Sequence, residues 1–386
     1  MIGIELEPVD TLFFRDGTPS AADSASQDEI GGVFPPHPAS VAGSLRACLA
    51  MCNGWSGRGR WPAELDSVLG TGSDLGKLVF DGPYILVDGD PLYPVPSHML
   101  GSTDSSQPLD PPVPLSWTPQ AFLRPGPEVV CDLGDAVRLP KAPSLETDHS
   151  EPLEPAVSTW LTGRGLAAVL REELPAKADL RDSGGLWREE SRVGIKRDPK
   201  TRSAEEGALY SARHVRLAPA VTIGMRVDGL PPTWRQPCGE LVALGGEGRI
   251  VTCRLWHGGS TLDMPLAAIE ATRRMTVTAL TPLDVDGVVY HGGGALDTFG
   301  GATVVSACMR RAQRIGGWRS FPSPGPLPLR GVLAPGSTLF CEVTHPERLR
   351  EIVEASGGRP RVGSHQEWGF GAVALGIWSD NSEVTH

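Results

Sequence analysis

Proline excludes helix from a long stretch of this chain. Thirteen prolines fall between Pro94 and Pro155, and a proline inside a helix removes a backbone donor and clashes with the preceding turn. We therefore expect residues 94–155 to be an extended, non-helical part of an insertion at about residues 94–190. With 47 glycines and 36 prolines among 386 residues, the rest of the chain should also consist of short elements joined by long loops.

The last third of the chain has the clearest pattern of predicted elements. Alternating apolar residues and helix-stop signals predict, in order, a strand at 273–285, a helix at 303–314, a strand at 317–321, a strand at 332–343, a helix at 346–356 and a final strand at 373–377. This order is βαββαβ, which is typical of a ferredoxin-like unit. The antiparallel sheet of such a unit has one open face for RNA or a protein partner.

The N-terminal part follows the same plan with a long interruption. We expect a strand at 2–6 and a helix from Ser40 to Met51, capped by Ser40 and with Arg46 on its free side. Its apolar positions have helical spacing: Val41, Leu45, Cys48 and Leu49. Strands are expected at 77–87, 221–227 and 249–256. The predicted fold class is therefore α+β, with two ferredoxin-like βαββαβ domains: residues 1–260, which contain the proline-rich insertion, and residues 261–386.

Charge distribution indicates where a polyanion could bind. The formal net charge of −11 argues against a general nucleic-acid coat, because non-specific binding needs cations that face the phosphates. Two segments are locally basic: residues 188–216 carry eight basic residues against five acidic ones, and residues 302–341 carry five arginines and no acid. Phe13, Phe14 and Arg15 precede a turn signal, which predicts an aromatic and cationic strand tip.

The cysteines and the N-terminal sequence indicate the cellular compartment and whether a structural metal is expected. The seven cysteines are scattered, except for Cys48 and Cys52 on one predicted helix face, and they form no Cys-x-x-Cys pair. We therefore expect neither a disulfide framework nor a structural zinc site, and no cofactor. No signal region or membrane span is apparent, which predicts a cytoplasmic protein.

The motifs that resemble catalytic loops are incomplete. The segment Gly70–Leu78 has the wrong glycine spacing for a phosphate-binding P-loop and lacks the hydroxyl residue that binds magnesium. His291–Gly294 resembles an oxyanion loop, but the chain contains no Gly-x-Ser-x-Gly. His37 and His365 are better interpreted as hydrogen-bonding loop residues than as acid–base catalysts. We expect no catalytic residue and no metal ligand.

Several separated motifs resemble one family, in the same order along the chain from about Gly3 to Trp378. They are Leu12–Gly17, Phe34–Pro38, Val41–Arg46, Glu190–Ile195, Glu206–Tyr210, Val215–Arg216, Leu244–Arg249, Ile315–Trp318, Ala334–Ser337 and Trp368–Gly371. This set resembles the third subunit of the Cmr complex, the type III-B CRISPR effector, within the RAMP superfamily. The region 94–190 matches least.

The resemblance implies two RRM-related domains in a non-catalytic subunit. Such a subunit would hold the 5′ tag of the CRISPR RNA and join the large polymerase-like subunit to the backbone RAMP subunit, with target RNA bound indirectly. Together with the basic segments, it predicts RNA contacts from Phe14, Arg15, Arg46, Arg192, Lys196, Arg197, Tyr210, Arg213, Arg216, Gly246, Arg249, Arg310, Arg311, Arg314, Gly317, Trp318, Gly369, Phe370 and Gly371.

Two alternatives stay open from the sequence. Some RAMP relatives cut precursor RNA without a metal, and His37, Tyr210 and Lys196 would be the residues for such an endoribonuclease here. The other alternative is a scaffold that binds only the large subunit and does not contact RNA.

Overall fold

The computed structural model describes residues 1–15, 29–30, 32–103, 117–131, 134–143, 152–197, 200–201, 203–259, 261–285, 294–319 and 325–380. Its mixture of helices and largely antiparallel sheets confirms the α+β class. The helices are α1 (Pro38–Cys52), α2 (Asp66–Leu69), α3 (Gly163–Leu170), α4 (Ser183–Leu186), α5 (Leu266–Thr272) and α6 (Leu349–Ala355).

The strands of the first part of the chain end shortly before residue 220. They are β1 (Ile2–Pro8), β2 (Glu29–Ile30), β3 (Val79–Val87), β4 (Asp90–Pro94), β5 (Met99–Thr103), β6 (Trp117–Phe122), β7 (Arg124–Cys131), β8 (Gly134–Lys141), β9 (Glu154–Pro155), β10 (Thr159–Leu161), β11 (Leu180–Asp182), β12 (Trp187–Arg197) and β13 (Ala204–Leu217).

The remaining strands complete the two main sheets and form two small two-stranded sheets, β20-β23 and β21-β22. They are β14 (Val221–Asp228), β15 (Cys238–Ala243), β16 (Ile250–Trp256), β17 (Arg274–Ala279), β18 (Gly294–Leu296), β19 (Ala302–Cys308), β20 (Gln313–Ile315), β21 (Trp318–Arg319), β22 (Gly325–Pro326), β23 (Arg330–Val332), β24 (Thr338–Val343) and β25 (Val373–Gly376).

The chain divides into two compact units. The first unit contains residues 1–89, 186–258 and 314–331, and the second contains residues 90–185, 259–313 and 332–386. The sequence predicted domains 1–260 and 261–386, with residues 94–190 inserted in the first. In the structure, residues 90–185 are grouped instead with the C-terminal sheet.

The first unit is built on an antiparallel sheet with the strand order β3-β14-β1-β16-β15. Its central strand β1 alternates as expected, since Ile4 and Leu6 are fully buried. Helix α1 packs against β15 and β3 and buries Val41, Leu45 and Leu49. The predicted helical spacing of these apolar residues is confirmed.

The cap of α1 differs from the prediction. The N-cap residue is His37, and Pro38 occupies the first helical position, while Ser40 is an exposed residue inside the first turn. A proline suits this position because its missing N–H has no helical acceptor there. Among the described residues, α1 is the longest helix, and none of the helices is both long and apolar enough to cross a membrane.

The second unit has a five-stranded antiparallel sheet with the order β18-β19-β24-β17-β25. Its core includes Met275, Val277, Leu339, Val373 and Leu375, all almost fully buried. The predicted strand at the end of the chain and the predicted helix after Pro346 are both present, the helix as a 3-10 turn followed by α6.

The predicted helix at 303–314 is wrong, because residues 302–308 form strand β19 and residues 313–315 form β20. Residues 302, 304, 306 and 308 are buried, while the residues between them are exposed or half-buried. That period of two belongs to a strand, and Thr303, Val304 and Val305 are β-branched residues that favour one.

The described residues of 94–155 are extended, as expected, whereas the rest of the insertion contains α3 and α4. Strand β5 pairs with β6 and β9, and β7 pairs with β8. The insertion also contributes core: His98 lies between Phe122 and Phe340, with ring centroids 5.5 and 5.6 Å away. Ser97 donates its N–H to Gly336 O at 2.7 Å. These contacts explain why residues 90–185 belong to the second unit.

Candidate nucleic-acid interface

A ribbon of two long strands in the first unit, with the two-residue strand β2 paired to its second strand, carries the first of the two basic segments of the sequence. Strands β12 and β13 pair antiparallel, from Trp187 opposite Leu217 to Ile195 opposite Leu209. Residues directly opposite in such a pair share a face. The face that we call the arginine face carries Arg188, Glu190, Arg192 and Gly194, opposite Arg216, His214, Ala212 and Tyr210.

Two acids, Glu190 and Asp10, hold Arg192 and Arg216 of this face in place. Arg216 donates from Nε to Glu190 Oε2 at 2.8 Å and from Nη2 to Asp10 Oδ1 at 2.9 Å. Arg192 donates from Nη2 to Glu190 Oε1 at 2.7 Å and to Asp10 Oδ2 at 3.0 Å. Arg249 reaches the same Asp10 Oδ2 from Nη1 at 3.4 Å. The result is a connected network of guanidiniums and carboxylates.

The network leaves donors for one more acceptor. The contacts use the Nε and Nη2 atoms of Arg192 and Arg216. Within the part of the chain that the structure describes, no residue accepts from Nη1 of either arginine. Both side chains are about one-third exposed, at 33% and 34%. The hydrogen bonds from Arg216 and Arg192 lower the pKa of Glu190 to about 2, so the carboxylate stays ionised.

A buried histidine connects the ribbon to the turn that carries Arg249. His214 is fully buried and lies 3.0 Å from Glu247 through Nε2 and 3.1 Å from Thr11 Oγ1 through Nδ1. Burial, followed by the charge of Arg249, lowers the pKa of His214. The ring is therefore neutral, and because a carboxylate only accepts, Nε2 carries the proton and Nδ1 accepts from Thr11.

The ring of Tyr210 packs over Gly194, its cross-strand partner on the arginine face. A Cβ on Gly194 would be 2.2 Å from Cζ of Tyr210, so the ring rests on bare backbone. This packing of an aromatic ring over a cross-strand glycine explains why the two residue types occur opposite each other. The tyrosine is half-buried, and one side of its ring is occupied by the ribbon itself.

The predicted aromatic strand tip is wrong. Phe14 is 6% exposed and packs against Phe34 with ring centroids 6.3 Å apart. Phe34 in turn contacts Trp187 at 4.8 Å, and Phe13 stacks on His214 at 5.2 Å. Both phenylalanines are core, because the β12–β13 ribbon covers them. Arg15 is exposed and its backbone bridges to Gly32.

Arg46 is not on a free helix face, as the sequence predicted. It is 5% exposed and donates to three backbone oxygens, Leu69 O at 2.9 Å, Gly72 O at 3.0 Å and Asp74 O at 2.9 Å. Burial lowers its pKa to about 10. The guanidinium thus holds the glycine-rich loop at residues 70–76, which explains that loop without a nucleotide.

The two predicted glycine loops have structural reasons for their glycines. Gly246 donates its N–H to Phe13 O at 2.7 Å, next to the turn that positions Arg249. Gly371 has a φ of 74°, and a Cβ there would lie 2.0 Å from Val362 O. Gly369 also has a positive φ, 96°. Phe370 is 4% exposed and therefore not a stacking platform for bases.

The predicted RNA contacts Arg310, Arg311 and Arg314 do not lie on a helix, because this segment forms a loop and strand β20. Arg310 is largely buried and donates from Nη2 to Val95 O at 3.1 Å and to Ala156 O at 2.9 Å. Arg311 and Arg314 are exposed, in the loop and in β20. Gly317 O accepts from Leu327 N at 2.8 Å in a small hairpin. The side chain of Trp318 lies outside the described residues.

Three more residues predicted to contact RNA, Arg213, Lys196 and Arg197, belong to strands β12 and β13. Arg213 lies opposite Ser191, on the other face of the ribbon from Arg192 and Arg216, and its Nη1 is 3.5 Å from Glu189 Oε2. Lys196 and Arg197 are in β12, but their side chains are outside the described residues. Residues 291–293 of the loop that resembles an oxyanion loop also lie outside them.

The two acidic residues of the site, Asp10 and Glu190, were not predicted from the sequence. Asp10 contacts Arg192, Arg216 and Arg249, although about 180 to 240 positions separate them. In the sequence, Glu190 is one of five acids within a basic segment. Its position two residues before Arg192 on a strand, which places both on one face, was the available signal.

Comparison with known proteins identifies the family. Residues 4–378 match the family model described as CRISPR-associated protein (Cas_Cmr3). No curated protein matches the chain. The chain is similar to one in the cryo-EM structure of the Type III-B Cmr-beta bound to cognate target RNA, with 15% identity, coverage of 95% of each chain and a TM-score of 0.49.

A second structure, of the same complex with target RNA and AMPPnP in state 1, has 17% identity and a TM-score of 0.47, and the match covers 92% of this chain and 88% of that one. The family model matches nearly the whole length, as the motif order predicted. The chain therefore belongs to the Cmr3 family of CRISPR-associated proteins.

Proposed function

We propose that this chain is a non-catalytic subunit of a type III-B CRISPR effector and that its arginine face holds the 5′ tag of the CRISPR RNA. In this proposal it also joins the large polymerase-like subunit to the backbone RAMP subunit in the cytoplasm. The observation that carries the RNA contact is the pair of guanidiniums at Arg192 and Arg216, each fixed by Glu190 and Asp10 and each with Nη1 available.

Fixed arginines suit a phosphate better than mobile ones. A phosphate oxygen can accept from Nη1 of both side chains, and the carboxylates have already restricted their rotamers. Asp10 and Glu190 also cancel much of the positive charge, so non-specific attraction to RNA is weak. Binding then depends on geometry, which fits a short segment of defined conformation better than a long unstructured strand.

The strand orders support two ferredoxin-like domains. In the first unit β16-β1-β14-β3 corresponds to the 4-1-3-2 order of a βαββαβ fold, with α1 as the first helix. In the second unit β25-β17-β24-β19 has the same order, with α6 as the second helix. Along the chain, the first unit has β15 in place of the second helix, and the second unit has a 3-10 turn in place of the first helix.

A non-catalytic role fits the surroundings of the residues suspected for RNA cleavage. Burial lowers the pKa of His37 to about 4, so this imidazole is neutral at physiological pH. It is the N-cap residue of α1. Tyr210 packs on Gly194 in the ribbon. His365 lies 2.9 Å from Asp284 Oδ2, which makes it a partner of a buried carboxylate.

The test uses the assembled complex and a ribbon variant that keeps hydrogen-bonding capacity. We would replace Arg192 and Arg216 together with glutamine and measure retained CRISPR RNA and its salt dependence. Losing the contact to this one phosphate should reduce the magnitude of the slope of log affinity against log salt by about 0.7, the value per phosphate on single strands. Arg213→Gln, on the other face, is the matched control and should keep the normal slope.

Three outcomes would overturn parts of the proposal. Unchanged RNA content in the double variant would show that the arginine face does not hold the tag. Cleavage of repeat RNA by the purified chain that is lost in His37→Ala would establish the endoribonuclease. A complex that forms without any crosslink between this chain and the tagged RNA would favour the protein-only scaffold.

A further inference from the structure

Five side chains with metal-binding chemistry meet between α1 and the edge of the first sheet. Cys48 and Cys52 lie one turn apart on α1. Glu240 and Cys238 belong to β15, and Cys253 on β16 is directly opposite Glu240. Opposed residues share a face of the sheet. Helix α1 is held against this edge by a hydrogen bond from Ser44 Oγ to Ala243 O at 2.8 Å.

Three of these side chains are close enough for one ion. The two sulfurs of Cys48 and Cys52 and a carboxylate oxygen of Glu240 all lie within 4.8 Å of one another. Cys238 Sγ is 3.5 Å from Glu240 Oε1, and Cys253 is the cross-strand partner of Glu240. Cys48 and Cys253 are fully buried and Cys52 is nearly so. The cluster is thus a sulfur-rich site with one carboxylate.

We propose that Cys48, Cys52 and Glu240 bind a structural zinc ion. Zinc takes four ligands in a tetrahedron from thiolates and carboxylates, with Zn–S distances of about 2.3 Å. Cys238 and Cys253 are the neighbouring thiols that can complete the set. Each cysteine ligand loses its proton as the Zn–S bond forms, while the carboxylate of Glu240 binds through oxygen without a proton change.

The position of the site gives the ion a structural role. Strand β15 ends at Ala243 and continues into the turn that carries Glu247 and Arg249. A zinc ion would tie α1 to β15 at the start of that strand. It would therefore stabilise the edge of the sheet from which Arg249 reaches Asp10. The inference rests on the cysteine cluster and is independent of the proposed RNA contact.

A carboxylate within the cluster favours a cation over a disulfide. In a purely redox site Glu240 would add negative charge beside two thiols, because its hydrogen-bond donors, the N–H and the thiol of Cys238, are neutral. A divalent cation neutralises that charge. The soft sulfur ligands select zinc over magnesium or calcium, which prefer oxygen. The sequence contains no Cys-x-x-Cys, so only the approach of α1, β15 and β16 brings these ligands together.

The experiment measures metal bound to the full chain. Protein purified from zinc-supplemented culture should contain one zinc ion per chain by elemental analysis. The double variant Cys48→Ser/Cys52→Ser should lose it, and Glu240→Gln should retain less zinc during dialysis against a chelator. Cys131→Ser and Cys308→Ser, both cysteines away from the cluster, are matched controls and should keep the full zinc content.

A second measurement does not depend on the folding of the variants. The wild-type chain, stripped by a chelator, would be titrated with Co²⁺, and a tetrahedral thiolate site should produce intense visible bands and a sulfur-to-cobalt charge-transfer band that zinc abolishes. If Co²⁺ added to the zinc-free wild-type protein produces no such bands, the proposal is overturned. A disulfide that joins Cys48 to Cys52 or Cys253 in protein purified without reductant would overturn it as well.

Discussion

Glu190 on β12 accepts from Arg216 on β13, with Oε2 and Nε 2.8 Å apart. Its other oxygen accepts from Arg192 on the same strand. One carboxylate therefore joins both strands of the ribbon and fixes two guanidiniums. The pKa of Glu190 records this, since the two arginines lower it from 4.5 to about 2.

The lowered pKa predicts how the ribbon responds to acid. A carboxyl group whose pKa is lower in the folded state contributes stability above its unfolded pKa and loses it as the pH falls through the folded value. The contribution of Glu190 should thus be constant above about pH 4.5 and disappear towards pH 2. The difference in unfolding free energy between wild type and Glu190→Gln measures it. A difference that does not change between pH 7 and pH 3 would contradict the prediction.

Arg46 should be needed for stability and not for RNA binding. Removing its side chain in Arg46→Ala leaves three carbonyl oxygens at residues 69, 72 and 74 without their donors, and we expect a loss of about 2–4 kcal/mol. Chemical denaturation of the chain checks this value. Arg58→Ala, at an exposed position, should cost less than about 0.5 kcal/mol. Folded Arg46→Ala that retains less CRISPR RNA than wild type would favour a direct contact.

His98 should make the second unit sensitive to mild acid. Burial lowers its pKa from 6.5 to about 3, and its Nε2 has no hydrogen-bond partner among the described residues. The folded state therefore binds no proton there while the unfolded state does below pH 6.5. Stability should fall with decreasing pH by up to about 1.4 kcal/mol per unit from this group.

The variant His98→Leu keeps the apolar contacts with Phe122 and Phe340 and removes the titrating ring. Its unfolding free energy should depend less steeply on pH between 6.5 and 5 than that of the wild type. Equal slopes for the two proteins would show that His98 does not carry the acid sensitivity. His37 is unchanged in both proteins, so its own lowered pKa cancels in the comparison.

Gly371 should tolerate no side chain for reasons of backbone geometry. Its φ is 74°, and a Cβ at this position would approach Val362 O to 2.0 Å. We therefore expect Gly371→Ala to cost about 2–3 kcal/mol of unfolding free energy, which thermal or urea denaturation checks. Gly43→Ala is the matched control, because Gly43 lies in α1 with nothing within 4 Å of its Cβ position, and it should stabilise the chain by up to about 1 kcal/mol.

The sequence alone determined the features that depend on local pattern. Period-two alternation predicted β1 and β25, the apolar spacing of α1 predicted its buried face, and proline excluded helix from the described residues of 94–155. The order of separated motifs identified the family. These signals need no knowledge of distant contacts, because they follow from backbone geometry and from which side of an element is apolar.

Tertiary structure decided the features that depend on which segments meet. Phe14 became core because the ribbon covers it, and Arg46 was buried because a loop of carbonyls lies opposite it. Strand β19 stands where the sequence predicted a helix, because it pairs with β24. In a paired strand the side chains alternate between the two faces of the sheet. Asp10 meets its arginines, and Cys48 meets Glu240, only across about 200 residues of chain. Local sequence cannot predict such pairings, because they arise from the long-range register of the sheets and the packing of α1.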